Sequence, residues 1–317
     1  MAWLLWPVSL AFGLLVIVRR LAYALRLLPS TRVPVPVVVI GNLTVGGSGK
    51  TPLAIHVAEL LKAKGWSPAI VSRGYGGTAT EPRSVSLASD PAEMGDEPVL
   101  MARRSGCPVW VGARRAAVVE TLLRETPRCN LVILDDGLQH YALRRDLEIC
   151  VVDARAFGND FMLPAGPLRE PRMRLWSVDA VIAHGTDRVK GYPMVLEGEE
   201  VHRATDARDR RNLKSFAGER VHAVAGIGDP KRFFLQLARH GLKVVPHPFP
   251  DHHPFVDADL DFGDDAPVLM TEKDAVKCKR FAKPAHWILP VRAAPDPAFD
   301  AWLLRRLDEL GFGPKVA

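Results

Sequence analysis

The chain has 317 residues, of which 48% are hydrophobic and 25% charged, with a formal net charge of +6 and a pI near 9.2. A chain of this length without repeats can bury two sizeable cores, so we expect two domains. Its four cysteines show no Cys-x-x-Cys spacing. This spacing suggests neither a zinc site nor a disulfide framework, and it indicates a reducing compartment such as the cytoplasm. The modest positive charge does not by itself indicate a nucleic-acid partner.

The first 30 residues are expected to contact a membrane. Residues 2–18 carry no charge, and Arg19 and Arg20 follow directly. A signal peptide would place positive charge before the apolar run, so we expect no cleavage. The run is interrupted by Pro7 and is near the lower length limit for spanning a bilayer. We therefore predict a monotopic anchor whose arginines rest on anionic headgroups; the alternative is a buried core helix.

One stretch combines a strand, a glycine-rich turn and a helix start. The β-branched run at residues 37–40 predicts a central strand, and the glycines that follow let backbone N–H groups approach an anion. Lys50 and Thr51 then match the phosphate-binding lysine and the Mg²⁺-binding hydroxyl of a P-loop. The first glycine of that pattern is replaced by Thr44, and the alternative is a simple turn with a solvent-exposed lysine. The predicted nucleotide-binding residues are Thr44, Val45, Gly46, Gly47, Ser48, Gly49, Lys50 and Thr51.

A second apolar strand ends in two adjacent aspartates. Residues 131–134 are followed by Asp135 and Asp136. A carboxylate at the end of a strand beside a P-loop can hold Mg²⁺ directly or through water. In isolation the two aspartates would be interpreted as turn caps. With the P-loop upstream, we predict that both serve the metal.

Strands and helices alternate along the rest of the chain. We predict an α/β fold in which a P-loop NTPase-like domain with a mostly parallel sheet, residues 31–196, follows the membrane helix at residues 1–30. A charged stretch at residues 197–214 is interpreted as an interdomain connection. The same alternation then resumes, which predicts a second, smaller α/β domain at residues 215–317.

Four polar segments lie next to predicted elements. Residues 73–77 form a basic, aromatic loop after a strand, where open α/β sheets place ligands. Asp96 precedes an apolar run and is predicted to be a helix N-cap. The charged residues 169–174 are typical of a solvated face. Residues 271–274, Thr-Glu-Lys-Asp, do not match the guanine-reading motif because the aspartate follows the lysine directly, which disfavours a regulatory GTPase.

The assembled motifs resemble one family over nearly the whole chain. They are, in order, GNLTVGGSGKTP, SRGYGG, GDEP, GARR, LDDGLQH, FPDHH and TEKD, and they are similar to those of the tetraacyldisaccharide 4'-kinases (lipid A 4'-kinases). The P-loop of that family also lacks the first glycine. The resemblance implies that ATP, with Mg²⁺, phosphorylates the 4'-hydroxyl of lipid A disaccharide 1-phosphate, giving the bis-phosphorylated precursor lipid IVA for lipopolysaccharide. It implies a site on the cytoplasmic face of the inner membrane, and we expect a monomer that binds no nucleic acid.

The resemblance also implies roles for individual residues. Lys50 would bind the nucleotide, and Asp96 would be the general base, assisted by a histidine of FPDHH. His252 is our candidate, although the adjacent His253 stays open as the alternative. The candidate metal ligands are Thr51, Asp135, Asp136 and Glu97, and the candidate substrate-binding residues are Arg73, Tyr75, Arg114, Arg115 and Glu170.

A competing class is the membrane-associated P-loop ATPase that acts as a positioning or scaffold protein. Those proteins carry a signature lysine where this chain has Val45. Their membrane helix is gated by nucleotide, whereas the anchor predicted here is N-terminal and permanent. ATP hydrolysis without a lipid acceptor would favour this second class.

Overall fold

Residues 2–314, the part of the chain described by the computed structural model, form eight α-helices and fifteen β-strands, and the strands make two β-sheets. Short 3₁₀ turns occur at Ala2–Leu5, Arg172–Ser177, Leu213–Phe216, Asp257–Leu260 and Lys279–Phe281. The helices are α1 (Trp6–Ala24), α2 (Lys50–Ala63), α3 (Pro91–Met94), α4 (Asp96–Ser105), α5 (Arg115–Glu125), α6 (Pro230–Arg239), α7 (Glu272–Cys278) and α8 (Pro297–Glu309). The strands are β1 (Val37–Gly41), β2 (Pro68–Ser72), β3 (Arg83–Val85), β4 (Val109–Val111), β5 (Leu131–Asp135), β6 (Leu147–Asp153), β7 (Ala180–His184), β8 (Tyr192–Glu197), β9 (Glu200–Arg203), β10 (Arg210–Asn212), β11 (Arg220–Ala225), β12 (Lys243–Pro248), β13 (Val268–Thr271), β14 (His286–Leu289) and β15 (Arg292–Pro295).

The large sheet has nine strands in the order β15-β8-β7-β6-β1-β5-β2-β4-β3. The seven strands from β8 to β4 are parallel, and both edge strands are antiparallel. All five residues of β1 are buried, and β1 pairs with β5 and β6, as expected for a β-branched central strand. Ile40 lies opposite Asp135, so the P-loop and the aspartates emerge at the same edge. The predicted α/β class with a mostly parallel sheet is confirmed.

The small sheet has six strands in the order β10-β9-β14-β13-β11-β12. Its four strands from β14 to β12 are parallel, whereas β9 and β10 are antiparallel. The loops after its parallel strands face the large sheet. Gly228, after β11, lies against Gly47, and His252, after β12, contacts Asp96 at the start of α4. The polar strand ends of the two sheets therefore meet in one cleft.

The structure differs from the predicted boundaries in two places. Residues 197–214, interpreted as a connection, contain β9 and β10 of the small sheet. The charged pattern was misleading because β10 is an edge strand whose three residues are all exposed. The last elements also return to the large sheet: β15 pairs with β8, and Phe299 and Leu303 of α8 are buried in its core. The chain thus crosses between the sheets twice.

The N-terminal helix lies mostly outside the protein core. The segment Trp3–Ala24 has a mean hydropathy of 1.8 and is, among residues 2–314, the one helix long and apolar enough to cross a membrane. Only 11% of its most apolar window is buried, which excludes the buried core helix. Pro7 lies in the first turn, where no N–H partner is required, so it begins the helix and does not interrupt it. Trp3 packs edge-on against Phe161 at 5.5 Å between ring centroids.

Candidate active site

The predicted P-loop is formed by residues 42–49 between β1 and α2. Gly46 and Gly49 have φ angles of 93° and 92°, and a Cβ at either position would lie 2.7 Å from Arg155 or His184, so both positions require glycine. Lys50 is only 9% exposed. Its Nζ donates to Asn42 Oδ1 at 3.1 Å and lies 3.5 Å from Asp136 Oδ1. The alternative of a solvent-exposed lysine is therefore wrong.

Two side chains that the sequence did not single out hold the loop in place. Arg155 donates to the Gly47 carbonyl oxygen at 2.7 Å and pairs with Asp153 at the end of β6. His184, at the end of β7, lies with Nδ1 2.7 Å from the Ser48 carbonyl oxygen, while its Nε2 faces Arg232 of α6. Burial and the Arg232 charge lower the pKa of His184, so its neutral ring donates to Ser48. Asp153 and His184 are each the last residue of a parallel strand. A polar residue at that position is the one feature of the sequence that could have indicated their role.

The two adjacent aspartates have different environments. Asp135 is 1% exposed, and neither of its carboxylate oxygens has a hydrogen-bond partner among residues 2–314. Burial, with Glu97 and Asp136 nearby, raises the pKa of Asp135 to about 7. A buried carboxylate without hydrogen-bond partners destabilises the folded protein unless it binds a cation or a proton. Asp135 is therefore suited to hold a metal ion.

Asp136 is instead paired with two cations. Its carboxylate accepts from Arg169 Nη1 at 2.9 and 3.0 Å and lies 3.5 Å from Lys50 Nζ. Burial favours the neutral acid, but Lys50 and Arg169 hold the pKa of Asp136 below its usual value. Its backbone is left-handed, with φ of 52°, a conformation that concentrates at functional sites. Asp136 thus fixes Lys50 and Arg169, a residue that sequence reasoning did not select.

The donor set around Asp135 fits Mg²⁺. Within residues 2–314 no three His, Cys, Asp or Glu side chains are grouped to hold a metal by themselves. Mg²⁺ in nucleotide enzymes needs no such cage, because it takes one or two carboxylates together with phosphate oxygens and water. Asp135 offers the orphaned oxygens, and Thr51 lies at the first turn of α2. Glu97 is engaged by Lys273 Nζ at 3.0 Å and is a weaker candidate.

Asp96 and His252 form a pair across the cleft. His252 Nδ1 lies 3.1 Å from both carboxylate oxygens of Asp96, which is 4% exposed. The structure thereby separates the two adjacent histidines, because His253 pairs with Asp259 at 2.9 Å. His252 has a left-handed φ of 62°, and its ring lies 4.9 Å from that of Tyr75. The pair brings together residues 156 positions apart in the sequence.

Asp96 is not the helix N-cap that the sequence predicts. The N-cap of α4 is Gly95, and the Asp96 carboxylate accepts only from the adjacent Glu97 N–H among the helix amides. Its main partners are cations from the other side of the cleft, because Lys277 Nζ lies 3.6 Å from Oδ2 in addition to the His252 contact. The acidic residue is therefore held by the small sheet's helices and loops, and not by its own helix end.

Lysines of α7 complete this charged network. Lys273 Nζ lies 3.0 Å from Glu97, 3.1 Å from Asp251 and 3.5 Å from His252 Nε2. Burial disfavours the Lys273 ammonium, yet the surrounding carboxylates hold its pKa above the usual value. Asp274 accepts from the Gly226 N–H at 2.9 Å and ties α7 to the loop after β11. The motif Thr-Glu-Lys-Asp thus supplies structural charges to the cleft.

The Asp96–His252 pair predicts a pH window for stability. Burial raises the pKa of Asp96, but the His252 hydrogen bond and Lys273 bring it below 3.8; the same hydrogen bond raises the pKa of His252 above 6.5. The contribution of the Asp96 carboxylate to stability is lost as the pH falls through its lowered pKa. The contribution of the His252 imidazolium to stability is lost as the pH rises through its raised pKa. Melting curves of wild type and His252→Asn should therefore differ most between about pH 4 and 6.5 and converge in alkali. A constant difference from pH 5 to 9 would contradict this.

A cavity of about 190 Å³ lies between the P-loop and the small sheet. Residues 47–52 line one wall, and Ile227, Gly228 and Phe233 line the other. The cavity combines the N-terminus of α2 with apolar side chains. This composition suits a molecule with an anionic end and a flat apolar end.

The predicted substrate-binding residues have different positions. Arg73, Tyr75 and Arg114 are exposed on the loops that follow β2 and β4, and the Tyr75 ring lies against His252. Arg115 is 4% exposed and donates to the carbonyl oxygens of Gly112 and Ala113, so it braces its own loop. Burial, followed by the Arg73 charge, lowers the pKa of Arg115 to about 10.

Glu170, predicted to be a substrate ligand, is buried in this structure, and its role toward the substrate stays a prediction. It is 1% exposed and accepts from Tyr141 and Gln139, with Arg174 Nε 3.5 Å away. Arg174 is itself 2% exposed and donates to Glu148 at 2.6 Å. The interpretation of residues 169–174 as a solvated face is therefore wrong for these two residues, because distant chain segments supply their partners.

The buried Arg174 network predicts a large effect on stability. Arg174→Met removes the only cation that bridges Glu148 and Glu170 within the described residues and leaves a buried charge without its partner. We expect a loss of about 3–5 kcal/mol in the free energy of unfolding, measured by denaturant titration. Arg172→Met is the control, because Arg172 is exposed and its change should stay within about 0.5 kcal/mol. Equal effects of the two variants would contradict the prediction.

Known proteins share this architecture. A family model described as tetraacyldisaccharide-1-P 4'-kinase (LpxK) matches residues 1–308. Among relatives named tetraacyldisaccharide 4'-kinase, that of Methylobacillus flagellatus is 50% identical over 306 residues, covering 96% of this chain and 91% of the relative. That of Aromatoleum aromaticum is 53% identical over 299 residues, covering 92% and 89%.

A solved structure gives the same result for the fold. The crystal structure of LpxK from Aquifex aeolicus in complex with ATP has a TM-score of 0.80 and 28% sequence identity, and the match covers 96% of this chain and 99% of that one. Both matches cover nearly the whole chain, and the residues matched by the family model include the N-terminal helix and both sheets. The chain therefore belongs to the tetraacyldisaccharide-1-P 4'-kinase family.

Proposed function

We propose that this protein transfers the γ-phosphoryl group of ATP to the 4'-hydroxyl of tetraacyldisaccharide 1-phosphate, with Mg²⁺ as cofactor. Membership of the kinase family supports the reaction, and the ATP complex of the Aquifex aeolicus protein supports the nucleotide. One observation carries the proposal: the cavity beside the P-loop is also lined by Glu97 and Lys273, which adjoin the Asp96–His252 pair. A phosphoryl donor site and a candidate base for an acceptor hydroxyl are thus brought together.

The nucleotide would bind with its phosphates at residues 44–51. Backbone N–H groups of the glycine turn, the N-terminus of α2 and Lys50 would neutralise the phosphate charge. Thr51 and Asp135 would hold Mg²⁺, which when bound supplies further neutralisation of the charge on the transferred group. The base and ribose would occupy the cavity beside Ile227 and Phe233. Asp136 would keep Lys50 in position.

Asp96 would accept the proton of the acceptor hydroxyl. Its lowered pKa makes it a weak base on its own. His252 compensates, because its raised pKa favours the protonated ring, which orients the carboxylate and shares its charge. Arg73, Tyr75 and Arg114, exposed on the loops that follow β2 and β4, would contact the acidic disaccharide. The pair is assembled from both sheets, so acceptor chemistry depends on their apposition.

The membrane partner follows from α1. We propose that α1 associates with the anionic cytoplasmic face of the inner membrane and that the protein acts there as a monomer. The apolar, mostly unburied helix and the arginines at its end support this. We also propose that the sheets belong to two domains, with residues 200–289 forming the smaller one and β15 and α8 completing the larger.

Incubation of the purified protein with γ-labelled ATP, Mg²⁺ and tetraacyldisaccharide 1-phosphate tests the reaction. We expect label in the lipid product, with GTP giving much less. ATP hydrolysis without transfer to lipid, or no labelled lipid from the folded protein, would overturn the proposal.

Deletion of residues 1–24 tests the membrane association. We expect most of the protein to be released from vesicles containing phosphatidylglycerol, with a remaining fraction that is bound only at low salt through basic residues. Flotation at low and high salt, with wild type alongside, measures both fractions. Unchanged salt-resistant binding would show that the anchor lies elsewhere.

A further inference from the structure

A short turn beside α1 presents two apolar side chains to solvent. Trp176 is 85% exposed and Met173 is 55% exposed, and both belong to the 3₁₀ turn Arg172–Ser177. Trp176 is the most exposed large apolar side chain in the part of the chain that the structure describes. Side chains three residues apart lie on the same side of a 3₁₀ turn, so the two form one small apolar surface.

The turn is held on a rigid base. Arg174, between the two apolar residues, is 2% exposed and donates to Glu148 at 2.6 Å and to Ser177 at 2.8 Å. Glu170 adds an ion pair at 3.5 Å from Arg174 Nε. A buried, multiply bonded arginine fixes the backbone on which Met173 and Trp176 stand. Their exposure is therefore a fixed property of the fold, and little ordering would be lost on docking.

The turn is continuous with the exposed face of α1. Arg20 donates from its guanidinium to Ser177 Oγ at 2.6 Å, which places the turn beside the cationic end of the helix. Arg172 is exposed and lies over the Phe157 ring, 4.8 Å from its centroid. Within residues 2–314, neither Arg19, Arg20 nor Arg172 forms a salt bridge to a carboxylate. The surface combines apolar side chains with unneutralised positive charge.

We propose that the turn Arg172–Ser177 is a second bilayer-contact element, in which Met173 and Trp176 enter the membrane interface and Arg172 meets an anionic headgroup. Tryptophan suits that boundary because its ring is apolar and its N–H remains hydrated. The charge of the rim matches anionic lipid. Continuity with α1 favours a bilayer over a protein partner. The inference rests on the proposed membrane association of α1, and not on the kinase reaction.

The consequence is a two-point contact with the membrane. A single helix could rotate about its axis or tilt, whereas a helix and a separate rigid turn define a plane. Arg169, three residues before the turn, pairs with Asp136 in the cleft. The turn thus links the bilayer surface to the candidate active site by a short, internally bonded segment. This fixes the height at which the cleft meets an acceptor that resides in the bilayer.

The test uses the full chain with an environment-sensitive NBD label at position 176. The four native cysteines are buried, so Trp176→Cys can be labelled selectively. Vesicles of phosphatidylethanolamine and phosphatidylglycerol are added, with and without nitroxide-labelled lipid. Leu10→Cys on α1 reports the anchor, and Leu235→Cys on α6 is the control, because Leu235 is 57% exposed on the small-sheet side. We expect increased, blue-shifted and nitroxide-quenched emission at positions 10 and 176 only.

Each other outcome overturns the inference. A response at position 10 without one at 176 would show that α1 alone contacts the bilayer. A response of equal size at 235 would indicate non-specific adsorption. If the label responds to vesicles at neither position 10 nor position 176, the membrane association itself is contradicted. The labelled-ATP assay in detergent would still test the kinase reaction separately.

A second variant measures the contribution of the turn without a label. Full-length Met173→Ser/Trp176→Ser should bind the same vesicles about tenfold more weakly than wild type at high salt, because exposed apolar side chains that enter the interface are lost. Leu235→Ser should bind like wild type. Circular dichroism and melting curves check that the double variant is folded. Wild-type vesicle affinity in the folded double variant would contradict the proposal.

Discussion

Asp96→Asn should lower the rate of phosphoryl transfer by about 10²–10⁴-fold while leaving ATP affinity close to that of wild type. The amide keeps the size of the side chain but cannot accept a proton. Asp96 contacts cations from the small sheet and lies outside the P-loop, so nucleotide binding should persist. Steady-state rates with saturating acceptor, together with nucleotide titration, measure the two effects.

The substitution should also lower the melting temperature, because the half-buried Lys277 and His252 lose a buried carboxylate partner. Asp90→Asn is the matched control: Asp90 caps α3 through the Ala92 N–H, and asparagine caps equally well.

His252→Ala should lose less activity than Asp96→Asn. The double variant should lose less than the product of the single losses, since the two side chains act as a unit. Near-normal turnover by Asp96→Asn would exclude it as the base.

Lys50→Ala should reduce turnover by about 10²–10³-fold, because the lysine neutralises phosphate charge that no neighbouring group replaces. Arg169 is already engaged with Asp136 and cannot take its place. The loss should appear in both the rate and the nucleotide affinity. Lys64→Ala, at the exposed C-terminal end of α2, is the control on the same helix and should retain turnover. Retained activity in Lys50→Ala would remove the P-loop from the mechanism.

Asp135→Asn should likewise lose most turnover, but with a shifted Mg²⁺ dependence. Its oxygens have no partners within the described residues, so the amide removes no existing hydrogen bond, and stability should stay close to that of wild type. A titration of rate against Mg²⁺, alongside melting curves without Mg²⁺, separates metal binding from unfolding. An unchanged Mg²⁺ profile with normal rate would make Asp135 a structural residue only.

The P-loop and the aspartates could be predicted because their chemistry lies in contiguous residues at strand ends. Parallel pairing then brings Ile40 and Asp135 to the same edge without any further information. The Asp96–His252 pair could be predicted only through the family resemblance. Its partners are separated by 156 residues and come from different sheets, so no local pattern could connect them.

Buried charges were the main failure of sequence reasoning. Glu170 and Arg174 were interpreted as surface residues because charged clusters usually are. Their burial depends on Tyr141 and Glu148, which reach them through tertiary packing. The boundaries failed for a related reason: β9 and β10 are short, charged strands, with β10 at the edge of the small sheet, and they lack the apolar alternation that marks a half-buried strand.

The double crossing between the sheets limits how the cleft can open. The chain leaves the large sheet after Glu197 and returns before Arg292, and these residues lie opposite each other in the β8–β15 pair. The two connecting segments, one after Glu197 and one before Arg292, lie side by side and permit rotation about a single axis. A single connecting segment would also permit twisting and sliding of one sheet relative to the other. Gly198 packs so closely on the Pro290 carbonyl that the connecting segments bend together. A protease nick at either connecting segment would therefore leave two fragments that still purify as one particle.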